Sequence, residues 1–129
     1  YLNTNSISED FVNVDISNSW EYFGIDIFMG NNSEDTISFN WEKIVSTDCQ
    51  LEWDVQISDK NNDYEPHFLM NVNPIDLLPN ESDVLFRAIV RPNSTAGCCD
   101  IAVVFSTDDE PSIVLDTAHF HFQINFFAH

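Results

Sequence analysis

The chain is poor in the residues that build flexible loops, cation patches and redox sites. Its 129 residues include 3 glycines, 3 cysteines, 2 methionines and 4 lysines and arginines taken together. So few glycines exclude a glycine-rich phosphate loop, which needs several where the backbone approaches an anion. The shortage of Lys and Arg argues against nucleic acid and anionic membrane surfaces, whose binding rests on clustered cations. No apolar run reaches the ~18 residues of a membrane span. The odd cysteine count leaves at least one thiol without an intrachain partner, and neither Cys-x-x-Cys nor His-x-x-x-His occurs. The sequence opens at Tyr1 rather than at a methionine, and so reads as a mature or excised fragment.

Apolar residues make up 43% of the chain, 11 of them Phe, which argues against disorder. The length predicts one domain, able to bury roughly two thirds of its unfolded surface. Acidic residues number 22, for a formal net charge of -18. Such a surface favours solubility and weak cation binding, and suits a salty extracellular setting.

Alternation is the dominant pattern. Ile37, Phe39 and Trp41 alternate with Ser38, Asn40 and Glu42; Leu51, Trp53, Val55 and Ile57 alternate with Glu52, Asp54, Gln56 and Ser58. Successive strand side chains point to opposite faces, so both runs read as strands with one apolar face. Trp41 and Trp53 would anchor a single core. Similar runs lie at 11–16, 22–29, 84–91, 99–105 and 120–126, with a weaker one at 67–72 and a short apolar run at 113–115. Residues 73–80, with two prolines, read as a crossing connection rather than a central strand. Residues 1–9 read as a tail or linker, and 10–129 as the domain. Seven to nine strands with polar turns and no 3.6-residue period predict an all-β fold, an antiparallel β-sandwich, with a jelly roll or small barrel as the alternative.

Phe39-Asn40-Trp41-Glu42, Trp53-Asp54-Val55-Gln56-Ile57-Ser58-Asp59, Leu78-Pro79-Asn80-Glu81-Ser82, Arg91-Pro92-Asn93 and Gly97 together carry a resemblance. Over roughly residues 14 to 126 the chain resembles the immunoglobulin-like β-sandwich domains of secreted, often multi-domain surface proteins of Bacteroidetes. Ser58 and Asp63 stand where such domains often have cysteines, as if one short disulfide had been lost whole. The resemblance implies a non-enzymatic module of an exported, surface-attached protein.

Several sites are candidates. Asp59, Asn61, Asp63 and Glu65 alternate in one loop and could offer oxygen ligands to calcium. The loop is not an EF-hand, because Tyr64 and Met70 occupy the sixth and twelfth positions. No other cofactor is implied. A Cys49–Cys98 disulfide would leave Cys99 as a buried free thiol. His119 and His121 share one strand face and read as a surface or interface pair rather than as metal ligands. Asn31, Asn80 and Asn93 begin N-glycosylation sequons, and Thr36 and Thr117 follow aspartates in short O-glycosylation-like signals. Tyr64 and Trp20 are candidate exposed platforms for a glycan or protein ligand.

These readings converge on a structural or adhesive module, extracellular or at the cell surface, with neighbouring domains or subunits as partners. The last strand, 118–127, would offer an edge for assembly, and Phe126-Phe127 would form an apolar patch. The alternative is a carbohydrate- or protein-binding module using loops at one end of the sandwich.

Overall fold

The computed structural model describes residues 2–4, 22–47, 49, 52–93 and 95–124. Among these residues every regular element is a strand: β1 (Leu2–Thr4), β2 (Phe23–Asn31), β3 (Ile37–Val45), β4 (Asp54–Ser58), β5 (Ile75–Leu77), β6 (Val84–Arg91), β7 (Gly97–Thr107) and β8 (Val114–Ile124). They form two antiparallel sheets, ordered β1-β2-β6-β4 (sheet A) and β5-β3-β7-β8 (sheet B). These orders are those of the ABED and CFG sheets of an immunoglobulin sandwich, with β5 added outside β3.

The alternation seen in the sequence is the burial pattern of the strands. On β3, Phe39, Trp41 and Lys43 point inward while Ser38, Glu42 and Ile44 face solvent. Inward aromatics from both sheets meet edge to face at the centre. Phe86 of sheet A lies 6.1 Å from Trp41 and 5.1 Å from Phe105, both of sheet B. Phe39, Trp41, Phe86, Phe105, Phe120 and Phe122 are all essentially inaccessible. Burying each side chain of this size stabilises the fold by about 2–3 kcal/mol.

Four strand expectations change. Leu2–Thr4, expected as tail, pairs with Met29–Asn31 as β1. Residues 67–72 are not a strand; one bridge, Glu42↔Met70, ties them to β3. The crossing segment does contain a strand, β5, which pairs with Ile37–Phe39 at the sheet edge. Its flanking prolines are tolerated there because an edge leaves one side unpaired. The runs at 113–115 and 120–126 merge into β8 within the described residues, with a register shift opposite Phe105/Ser106. The run at 11–16 and Phe126-Phe127 lie outside the described residues.

The disulfide joins Cys49 to Cys99, and Cys98 is the free, exposed thiol. The expected Cys49–Cys98 pairing fails on strand parity. Cys99 occupies an inward position of β7, and Cys98 the outward one. The loop carrying Cys49 is laid beside β7 by Ser46 N–H donating to Asp100 O at 2.9 Å, so it meets the inward cysteine.

The bridge spans 50 residues, for which the chain-entropy relation gives about 4 kcal/mol of stabilisation. The oxidised protein should therefore show one reactive thiol, and Cys98→Ala none, with an unchanged melting temperature. Cys99→Ala should cost about 3–4 kcal/mol in denaturant melts. Two reactive thiols in oxidised Cys98→Ala would contradict the pairing.

Candidate functional site

The loop with calcium-like spacing is a structural turn. β4 ends at Ser58, and the chain folds back so that Asp63 bridges Ser58 and Tyr64 N–H donates to Ile57 O at 2.8 Å. The Ser58 hydroxyl donates to the Asp63 carboxylate. A hydrogen bond thus stands where the resembling domains often carry cysteines. Asp59 is buried, and both its oxygens are engaged. Oδ1 accepts from the Asn61 and Asn62 N–H groups at 2.8 and 2.9 Å, and Oδ2 accepts from Trp41 Nε1 at 2.8 Å. Asn61, Asp63 and Glu65 are exposed. Among the described residues no three of His, Cys, Asp or Glu come together to hold a metal.

Tyr64 is not an exposed platform. The same reversal directs it inward, 4% exposed, with its ring 5.1 Å from Trp41 and its hydroxyl accepting from Val72 N–H at 3.2 Å. Trp20 lies outside the described residues.

Lys43 is a functional group that the sequence reading passed over. Its inward position beside Trp41 follows from β3 alternation alone. Its ammonium donates to Val55 O at 2.7 Å and Pro66 O at 2.8 Å. Together with Tyr64 N–H on Ile57 O, it satisfies carbonyls of β4, a sheet edge that would otherwise be bare. Desolvation lowers the Lys43 pKa from its ordinary value. On the neighbouring edge, Leu69 O and Asn71 Oδ1 accept from the Lys43 and Trp41 N–H groups at 2.7 and 2.9 Å, closing the part of β3 that β5 does not reach.

The glycosylation candidates separate by burial. Asn31 is 1% exposed. Its Nδ2, the atom a glycan would need, donates to Asp35 O, Leu77 O and Leu78 O at 2.7, 3.0 and 3.2 Å. That rules it out as an acceptor in the folded chain. Asn93 Nδ2 is likewise engaged, donating to Glu52 O at 2.7 Å and Asp54 Oδ2 at 3.1 Å. Asn80 and Thr36 are exposed, and Thr117 is half-buried.

Sheet B carries an open groove of about 360 Å³ on its outer face. Asn40, Glu42, Met70, Asn71, Val104 and Asp108 are among its walls. An amide relay spans it: Asn71 Nδ2 donates to Asn40 Oδ1 at 2.9 Å, and Asn40 Nδ2 to Asp108 Oδ1 at 2.8 Å. His119 and His121 project from β8 on this same face, and His121 pairs with Asp100. At the turn before β6, Leu78 N–H first and Lys60 second hold the Glu81 carboxyl below its usual range.

No protein-family model matches the chain, and no curated protein matches it in sequence. Its fold is similar to that of solved β-sandwich domains. The N-terminal domain of PorA superposes with a TM-score of 0.75 at 10% identity, over 97% of this chain and 98% of that one. A PapD-like domain of human CEP192 gives 0.53 at 9% identity, over 98% and 87%. The CooA pilin subunit of enterotoxigenic Escherichia coli gives 0.52 at 9% identity, over 96% and 98%. The immunoglobulin-like sandwich is common to them.

Two outcomes follow from the buried polar groups. Asp59→Ala strands the indole N–H and two backbone N–H groups. It should cost about 3 kcal/mol, a fall in Tm of roughly 10 °C, equally in calcium and in chelator. A wild-type Tm raised by calcium, with the rise lost in Asp59→Ala, would support a calcium site in this loop. For Lys43, a folded-state pKa below the unfolded value means the unfolded chain binds more protons between the two. Stability from this group therefore rises with pH in that alkaline window, which ends near 10.5. Denaturant melts of Lys43→Met should lack that rise.

Proposed function

We propose that this domain is a structural or adhesive module of an exported, surface-attached protein, joined to neighbouring domains or subunits along a sheet edge. The Cys49–Cys99 bridge carries the reading. Disulfides form and persist in oxidising compartments and are rare in the cytosol, so a bridged sandwich belongs outside it. The strong negative charge suits an exposed surface. The resemblance to surface domains of Bacteroidetes points the same way, and a pilin subunit shares the fold. Among the described residues β8 is the terminal strand of sheet B, and it is eleven residues long. An edge of that length offers backbone groups to an added strand, whereas the β4 edge is covered and β5 spans three residues.

The groove on sheet B favours a second reading, a glycan- or peptide-binding module, because amide and carboxylate groups converge there beside Met70 and Val104. Glycan-array binding abolished by Asn40→Ala would establish it.

Alkylation of thiols on intact source cells, followed by isolation and mass analysis, tests the primary reading. The expected result is one alkylated cysteine, Cys98, and domain-specific antibody staining without permeabilisation. Three alkylated cysteines, or staining only after permeabilisation, would overturn export.

A further inference from the structure

The groove on the outer face of sheet B is open and about 360 Å³ in volume, at the lower end of the range for ligand pockets. That size suits a short extended segment rather than a folded domain. Part of its lining is apolar. Met70 is 55% exposed, next to Leu69 at 59%, and Val104 is half-buried on β7. Leu69 O accepts from Lys43 N–H, and Met70 bridges Glu42, so this wall is fixed to β3. Methionine side chains adapt to varied partners and recur at promiscuous binding surfaces.

The polar groups of the groove are arranged to accept hydrogen bonds. Asn71 is saturated: its Oδ1 accepts from Trp41 N–H, and its Nδ2 donates to Asn73 O at 2.7 Å and Asn40 Oδ1 at 2.9 Å. The relay then runs outward through Asn40 Nδ2 to Asp108 Oδ1. It ends on a carboxylate, which has acceptor positions to spare. Asp108 is held by its backbone as well, since its N–H donates to Ser38 O at 3.1 Å. Glu42, Asp109 and Glu110 also line the groove, and no Lys, Arg or His is among the lining residues. None of these four acids belongs to an ion pair among the described residues. Nor do they gather as metal ligands do, so they suit several separate donors rather than one ion.

We propose that the groove binds an extended peptide that carries arginine. The guanidinium sits on the Asp108 carboxylate, whose orientation the relay already fixes, so less freedom is lost on binding. Arginine fits better than lysine, because its planar fork meets a carboxylate through two N–H groups. Its methylene stem lies along Met70 and Val104. A sugar has hydroxyls for the same acceptors but no charge to offset four carboxylates. No aromatic ring of the lining residues faces the groove, since Trp41 borders it while only 1% exposed. The net charge of -18 draws a cationic ligand from a distance. The proposal rests on the groove reading above, names its ligand class, and is independent of export.

Fluorescence anisotropy of a labelled hexapeptide of alternating serine and arginine tests it, with the oxidised domain titrated at low and at high salt. Alternation places the arginines on one side of an extended chain. The twin peptide with citrulline for arginine keeps the shape and removes the charge. The arginine peptide should bind, and more weakly as salt rises. The citrulline twin should bind roughly tenfold more weakly or worse. Asp108→Asn, which keeps an acceptor for the relay, should weaken the arginine peptide by a similar factor and barely change the citrulline twin. Glu34→Gln, the same loss of charge on an exposed turn outside the groove, should change little. If Asp108→Asn melts abnormally, Glu42→Gln takes its place. No binding at millimolar domain overturns the proposal, as does equal binding of the two peptides. Equal weakening by Asp108→Asn and Glu34→Gln overturns it too, since diffuse attraction then explains the binding. Glycan-array binding lost in Asn40→Ala, without peptide binding, overturns the peptide but keeps the groove as a site; silence in both assays ends the groove reading as well.

Discussion

An indole buried at the centre of a sandwich brings a polar N–H into a place without water. Trp41 is 1% exposed, and its Nε1 is met by Asp59 at 2.8 Å. That requirement organises much of the domain, because a buried donor left unmet costs about 1–3 kcal/mol. Asp59 must sit at the end of β4, in the opposite sheet, and its other oxygen is used to close the turn that follows. The turn delivers Tyr64 against the Trp41 ring, and the chain then runs down the open side of β3. The crossing from sheet A back to β5 in sheet B is thus built around one hydrogen bond.

Side chains do for these edges what a further strand would do elsewhere. Lys43 caps carbonyls near β4, Asn71 takes the Trp41 N–H, and Asn31 gathers the carbonyls of Asp35, Leu77 and Leu78 from two separate segments. Each of these polar groups makes several bonds at once, and a fully satisfied network fixes one geometry where apolar contacts would allow several. The cost is that Lys43 is held away from water, with its charged form disfavoured.

The strands were legible because alternation is a direct record of two-faced burial. From Phe39-x-Trp41 to Phe120-x-Phe122 the inward residues are those the pattern names. The edge element β5 was hidden by its prolines, and β8 looked broken because a register shift interrupts its period. The candidate sites were less legible, since spacing shows which side chains are near in sequence but not which are already engaged. Asp59, Asn61, Asp63 and Glu65 have calcium-like spacing, yet Asp59 faces an indole that is eighteen residues away. Tyr64 and Asn31 sit in polar stretches and were read as exposed; long-range partners bury both. Lys43 could have been found, because its parity with Trp41 places it inward. Scarce glycine was informative too: Asn80, Asp83 and Asn93 take the left-handed conformation in its place, as Asn and Asp can.

The few cations show how the surface charge arises. Lys43 is consumed by backbone carbonyls in the interior, and Lys60 holds Asp76 O and the Glu81 carboxylate at the turn before β6. Arg87 and Arg91 lie on sheet A, opposite Asp26 and Asp54. Each cation therefore has local work within the fold. The acids of sheet B are left without a Lys or Arg on their own face among the described residues. The asymmetry between the two faces is thus a consequence of where the structure needed donors.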